Sequence, residues 1–182
     1  MEKDLFLVEK AKQGDKQAFK ELVLLHQKRL YNLAYYFTKN EHDASDLYQE
    51  TWVKIFEHLN KFKNNQNFPA WTSQILRNTF IDKYSRNKSK KNELSLNDAI
   101  NIPLKTTGAL AHSEKIEDEL SVDNAITSLP VEFRETVVLV DLLGFTYEET
   151  AEITRTPVGT VRSRLNRARE RLKVLFENPA DF

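Results

Sequence analysis

Thr146-Tyr147-Glu148-Glu149-Thr150-Ala151-Glu152-Ile153 leads through Thr154-Arg155-Thr156 into Pro157-Val158-Gly159-Thr160-Val161-Arg162-Ser163-Arg164-Leu165-Asn166-Arg167-Ala168-Arg169. Thr146 with Glu149 is a capping box: the hydroxyl accepts an orphan helix N–H, and the carboxylate reaches back to the capping residue. Thr156 before Pro157 predicts the start of a second helix, because the missing proline N–H costs nothing in a first turn. Val158, Val161, Leu165, Ala168 and Leu172 then share an inward arc, and Ala151 is small where two helices must cross closely. Gly159, Ser163, Asn166 and Arg167, flanked by Arg162 and Arg164, point outward. Two short helices joined by a tight turn, the second rich in arginine, are the arrangement that fits a helix into the DNA major groove.

Charge supports this reading over that of an ordinary solvated face. Between Thr154 and Lys173 there are seven basic residues and one acid, a net +6. A solvated helix usually mixes signs one turn apart instead. Each bidentate arginine–guanine contact contributes about 1–3 kcal/mol of base discrimination, and one such module binds weakly alone, so a second grip is expected.

The whole chain has 182 residues, 40% of them hydrophobic, and a formal net charge of zero, enough for one or two small domains with real cores. The neutrality hides segregation. Residues 77–91 carry Arg77, Lys83, Arg86, Lys88, Lys90 and Lys91 against Asp82, a net +5, whereas residues 93–135 carry nine acids and three bases, a net −6. Local field governs binding more than the total does. Cysteine is absent, which removes disulfides, thiol catalysis and cysteine-based zinc sites. No signal-peptide pattern follows Met1 and no apolar run approaches membrane-spanning length, so a cytoplasmic protein without membrane insertion is expected.

Only four glycines and five prolines interrupt a pervasive helical periodicity, so the fold class expected is all-α. Helices are predicted over about 3–13, 16–39 (capped by Asp15 after Gly14), 41–59 and 68–90, with Pro69 in the first turn of the last. Residues 93–120, containing Pro103 and Gly108, read as a linker. The expected organisation is a domain at 1–92, an acidic linker at 93–120 and a second helical domain at 121–182. Along residues 43–56, Ala44, Leu47, Tyr48, Thr51 and Ile55 form an inward stripe. Asp46, Gln49, Glu50 and Val53 share another face, turned to solvent or a partner.

With the helix-turn-helix, this segment resembles the extracytoplasmic-function (ECF) sigma factors of bacterial RNA polymerase, within the primary-sigma superfamily. Their signature Asp-Ala-x-Asp-Leu-x-Gln-Glu-x-aromatic is matched by Asp43 through Trp52. The aromatic-x-x-Trp opening and the Arg-Asn pair of their promoter-melting segment are matched by Phe68-Pro69-Ala70-Trp71 and Arg77-Asn78. Their Leu-Pro and Pro-Val-Gly-Thr-Val-x-Ser-Arg-Leu-x-Arg-Ala-Arg motifs are matched by Leu129-Pro130 and Pro157 through Arg169. Three motifs in the same order cover nearly the whole chain.

The resemblance implies a role for each matching residue. Asp46, Gln49, Glu50 and Val53 would bind core RNA polymerase, on the clamp helices of its largest subunit. Phe62, Asn64, Asn65, Trp71, Gln74, Arg77 and Asn78 would serve the melted −10 element. Aromatics offer faces to unstacked bases, amides read base edges, and cations hold phosphates. For Trp71, core packing is an equal alternative. Lys83, Arg86, Lys88, Lys90 and Lys91 would be phosphate contacts. At the duplex −35 element, Arg162, Ser163, Asn166 and Arg167 would meet base edges, and Thr160, Arg164 and Arg169 the backbone. The acidic linker would thread the polymerase's RNA path, although a disordered spacer fits its acidity equally. An anti-sigma factor is an implied partner, and a stress or envelope regulon the implied target.

Arg155 departs from the pattern, since relatives often place glycine at that turn; an L-residue there must tolerate the conformation or bear strain. An enzyme is disfavoured: the four histidines His26, His42, His58 and His112 lack metal-ligand spacing, none pairs with a nucleophile, and no glycine-rich phosphate loop exists. No catalytic residue, metal ligand or cofactor is therefore expected, and His26 reads as a packed histidine. A dimeric helix-turn-helix regulator would leave residues 43–91 idle, and a helical adaptor would leave two basic clusters unexplained.

Overall fold

A computed structural model describes residues 2–90 and 122–177, and the side chains of residues 84–90 lie outside that description. The predicted linker 93–120, with Lys91, Pro103, Gly108 and His112, also lies outside the described residues. Every regular element described is helical, as the periodicity predicts.

In the N-terminal lobe, α1 spans Glu2–Lys12, α2 Lys16–Thr38, α3 Glu41–His58 and α4 Phe68–Lys90, with a short 3-10 turn at Leu59–Lys61. The break between α1 and α2 is set by Gly14 at φ 92° and by Asp15, whose carboxylate accepts from the N–H groups of Gln17 and Ala18. Asn40 plays the same part for α3, accepting from the Asp43 N–H at 2.7 Å. Leu22, Leu30, Leu33, Leu47, Ile55, Phe62, Phe68 and Leu76 close the core. Burial at about 25 cal/mol per Å2 of apolar surface is what holds these helices together.

In the inward stripe of α3, Ala44, Leu47, Thr51 and Ile55 are buried as predicted, while Tyr48 is half-buried. The stripe is wider than expected. Trp52 is also buried, its ring edge-on to Phe19 at 5.8 Å and to Tyr48 at 6.3 Å. His26 is a packed histidine, with Nε2 2.9 Å from Asp4 Oδ1 and the ring beside Phe68.

The C-terminal lobe begins with α5 over residues 122–128. Next come α6 (Val131–Val137), a π-helical turn (Val138–Leu142), α7 (Tyr147–Thr154) and α8 (Val158–Glu177). The π turn, marked by the Leu143 N–H reaching back to the Val138 carbonyl at 2.9 Å, ends at Gly144 with φ 71°. Val137, Val138, Leu139, Ile153, Leu165 and Ala168 make the core of this lobe. The lobes are in contact: α4 packs on α7, and α2 on α6.

Candidate nucleic-acid and polymerase interfaces

The helix-turn-helix is built as its sequence dictates. The Thr146 hydroxyl accepts from the Glu149 N–H at 3.1 Å, and Glu149 Oε2 accepts from the Thr146 N–H at 2.9 Å, completing the capping box. Arg155 takes the left-handed conformation at φ 53°, ψ 44° and ends α7 by donating its N–H to the Ala151 and Glu152 carbonyls. The Thr156 hydroxyl, expected to cap α8, pairs instead with the Thr154 hydroxyl at 2.8 Å. Within α8, Val161, Leu165 and Ala168 are buried, while Val158 and Leu172 are only half-buried at the margins of the stripe.

The outward face of α8 is open. Arg162, Ser163, Asn166 and Arg167 are exposed, and Thr160 and Arg164 are half-buried. The Arg162 guanidinium lies 5.8 Å from the centre of the Tyr147 ring, which orients it without removing it from solvent. Arg169 differs: it holds Asp141 with both Nε (3.1 Å) and Nη2 (2.6 Å). That fork positions the C-terminal half of α8 against the π turn.

On α3, Asp46 and Gln49 are exposed and Val53 is 57% exposed. Phe56, one turn on, is 60% exposed and stands edge-on to Phe19. Sequence reasoning left Phe56 out of this face, although an apolar residue three places after Val53 was the available signal. Glu50 is engaged within the lobe, 3.3 Å from Lys54 and 3.0 Å from Lys83. Burial pulls its carboxyl upward, but the hydrogen bonds from Lys83 and Lys54 outweigh burial and hold it below the usual range.

The residues predicted for the melted strand do not share one environment. Asn64 and Asn65 are exposed in the loop before α4. Phe62 is a core residue, 2% exposed, and supports Trp71 from beneath at 5.2 Å between ring centres. Trp71 is half-buried, so it packs and presents a surface at once. It lines a cleft of about 480 Å3 with Lys54, His58, Lys61, Asn78 and Arg155. The cations of this cleft come from three separate elements, so sequence reading did not group them.

Gln74 and Arg77 lie at the junction of the lobes. Gln74 Nε2 donates to the Glu152 carbonyl at 3.0 Å, and Arg77 Nε donates to Glu135 Oε1. Glu135 is 5% exposed. Burial raises its carboxyl, against the opposing pull of Arg77. Asn67 Nδ2 donates to Glu149 Oε1 at 2.5 Å, while Asn67 Oδ1 accepts from the Ala70 N–H within α4.

The molecule is thus two helical lobes with a basic, exposed helix face on α8 and a separate polar and apolar face on α3. Residues 22–90 match the family described as Sigma-70 region 2, and residues 119–172 the one described as Sigma-70, region 4. The chain is 34% identical over 179 residues to the ECF RNA polymerase sigma-E factor of Haemophilus influenzae, covering 93% of each chain. It is 35% identical to the ECF RNA polymerase sigma factor SigE of Mycolicibacterium smegmatis over 88% of its own length, but spans 63% of that relative. A solved structure of the sigma factor RpoE with the anti-sigma factor NepR from Bartonella quintana superimposes with a TM-score of 0.73 at 28% identity, covering 87% of this chain and 96% of that one. The structure of CnrH with the cytosolic domain of CnrY gives 0.71 at 25% identity, covering 96% and 97%.

The chain belongs to the ECF sigma factors of RNA polymerase. These are transcription initiation factors with a DNA-binding helix-turn-helix in region 4, not enzymes. Among the described residues no helix is long and apolar enough to cross a membrane.

Proposed function

We propose that this sigma factor directs core polymerase, in the cytoplasm, to two-element promoters of a stress or envelope regulon. The outward face of α8 reads the duplex −35 element through Arg162, Ser163, Asn166 and Arg167, with Thr160, Arg164 and Arg169 toward the backbone. Asn64, Asn65, Trp71, Gln74, Arg77 and Asn78 receive the −10 strand, with Phe62 supporting Trp71. Asp46, Gln49 and Val53 dock on core polymerase beside Glu50. The domain division at 1–92, 93–120 and 121–182 belongs to the same proposal. The observation that carries the reading is the coexistence of two uncovered faces, one basic on α8 and one polar and apolar on α3.

An anti-sigma partner is part of the proposal, supported by the similar solved structure of a sigma factor bound to an anti-sigma factor. Reconstitution with core polymerase should yield transcripts from a defined start, and sequencing 5′ ends after overproduction should reveal two shared upstream elements. Occupancy of palindromic operators by the chain alone, with no association to core polymerase, would overturn the proposal.

A further inference from the structure

Cations from three elements converge on the cleft of about 480 Å3 beside Trp71: Lys54 of α3, Lys61 of the 3-10 turn and Arg155 at the end of α7. Asp82 of α4 is the acid in its wall, so three fixed positive charges stand against one negative. Lys54 is shared with Glu50 at 3.3 Å. The side chains of Lys61 and Arg155 have no hydrogen-bond or ion-pair partner among the described residues. Arg155 also holds the left-handed conformation at φ 53°, ψ 44°, which costs an L-residue and not glycine. Strain of that kind gathers at functional positions, and what glycine could not supply here is the side chain in the cleft wall. Trp71, half-buried, rests on Phe62 and Phe68 with ring centres 5.2 and 5.9 Å away, so it offers a fixed flat platform. The amide of Asn78, also in the wall, has no partner among the described residues and can both donate and accept. His58 Nδ1 donates to the Lys54 carbonyl at 2.9 Å, which leaves Nε2 to accept in the neutral ring.

We propose that this cleft binds a free nucleoside monophosphate, with its base on Trp71 and its phosphate between Lys61 and Arg155. A phosphomonoester carries about −1.5 to −2 at pH 7, which matches the net charge of roughly +2 left by the three cations and Asp82. An indole face stacks on any nucleobase, and the Asn78 amide with His58 Nε2 suits a base that carries an exocyclic amine. The cleft is also of the size of small-molecule sites, about 300–1,000 Å3. One nucleotide of a promoter strand has the same chemistry, but Arg155 lies on the other lobe from the strand-receiving residues, so its part marks the free ligand. The site does not rest on the promoter reading: Trp71 and Asn78 are common to both, whereas Lys61 and Arg155 belong to the ligand alone.

The chain holds two tryptophans and Trp52 is buried, so a base stacked on Trp71 should quench the more exposed share of the emission. AMP titrated into the full chain, followed by quenching and by calorimetry, should saturate at one ligand per chain. Adenosine and ribose 5-phosphate, each lacking one half of the contact, should bind at least about tenfold more weakly. Arg155→Gly removes the cation and relieves the left-handed strain together, so it should melt no lower than the wild type yet bind AMP about tenfold more weakly. Lys61→Ala should weaken AMP similarly, and Lys63→Ala, an exposed cation outside the cleft, should not. Binding of a short single-stranded oligodeoxynucleotide should be indifferent to Arg155→Gly. No saturable AMP binding at millimolar concentration, full AMP affinity in Arg155→Gly, or ribose 5-phosphate binding as tightly as AMP overturns the proposal. Oligonucleotide binding that depends on Arg155, with none of AMP, assigns the cleft to the strand and overturns it as well. These readouts use neither promoter nor core polymerase, so they decide the site apart from the promoter reading.

Discussion

Buried hydroxyls show how individual residues are settled. Thr51, Thr72, Thr79 and Thr154 each donate to a carbonyl one turn earlier, at 2.6–3.0 Å. Ser73, fully buried beside Thr72, has no hydrogen-bond partner among the described residues. A polar group sealed without a partner costs its desolvation, so Ser73→Ala should stabilise the fold by about 1 kcal/mol in urea denaturation. A loss of that size would mean that the hydroxyl is satisfied after all. Arg167 and Arg169, two places apart on α8, illustrate the same logic in solvent. Both are exposed, but the guanidinium of Arg169 is forked onto Asp141. Arg167→Ala should therefore cost about 1–3 kcal/mol of binding at the upstream element and relax its sequence preference, as read by holoenzyme binding to a promoter substitution series. Uniform weakening across every sequence would make Arg167 a phosphate contact.

At the scale of the element, what was legible is what local chemistry enforces. The capping box of α7, the Asp15 cap of α2 and the Arg155 turn each depend on residues within a few positions, so the sequence displays them directly. Trp52 escaped because periodicity places it at the edge of the α3 stripe, and only Phe19, on another helix, draws it inward. The proposed docking face was legible as residues lacking a core role, but their standing within it was not. Lys83 on α4 engages Glu50 from outside α3, leaving Asp46 and Val53 as the cleaner probes. Asp46→Arg with Val53→Asp should weaken association with core polymerase at least about tenfold, the loss of roughly 1.4 kcal/mol, with the melting temperature unchanged. Normal association by a folded double variant would move the docking surface elsewhere.

Closure of the lobes belongs to the whole molecule and left no trace in periodicity. It is made of pairs far apart in sequence, such as Arg77 with Glu135, 58 residues apart, and Tyr36 with Asp123, 87 apart. The segregation of acid from base along the chain was the available hint, and it did not say which acid meets which base. One half-buried cation near the junction is unfavourable and gives stability a pH dependence. Lys39 ends α2 in the left-handed region at φ 64°, and burial, followed by repulsion from Arg134 of α6, lowers its ammonium from 10.5 to about 8. Burial also lowers Arg134, to about 10. Below pH 8 the folded chain carries both charges, and so does the unfolded chain, but only the folded chain bears the cost of burying them together. As pH rises from about 8 toward 10.5 the folded chain sheds the Lys39 proton first, so stability attributable to this residue increases across that window and then levels. Lys39→Met keeps the stem and the backbone conformation but cannot titrate. Its melting temperature should exceed that of the wild type most at pH 7, and the difference should shrink steadily as pH approaches 10.5. A difference that stays constant with pH would show that Lys39 sits charged at no cost, its ammonium swung out to water away from Arg134.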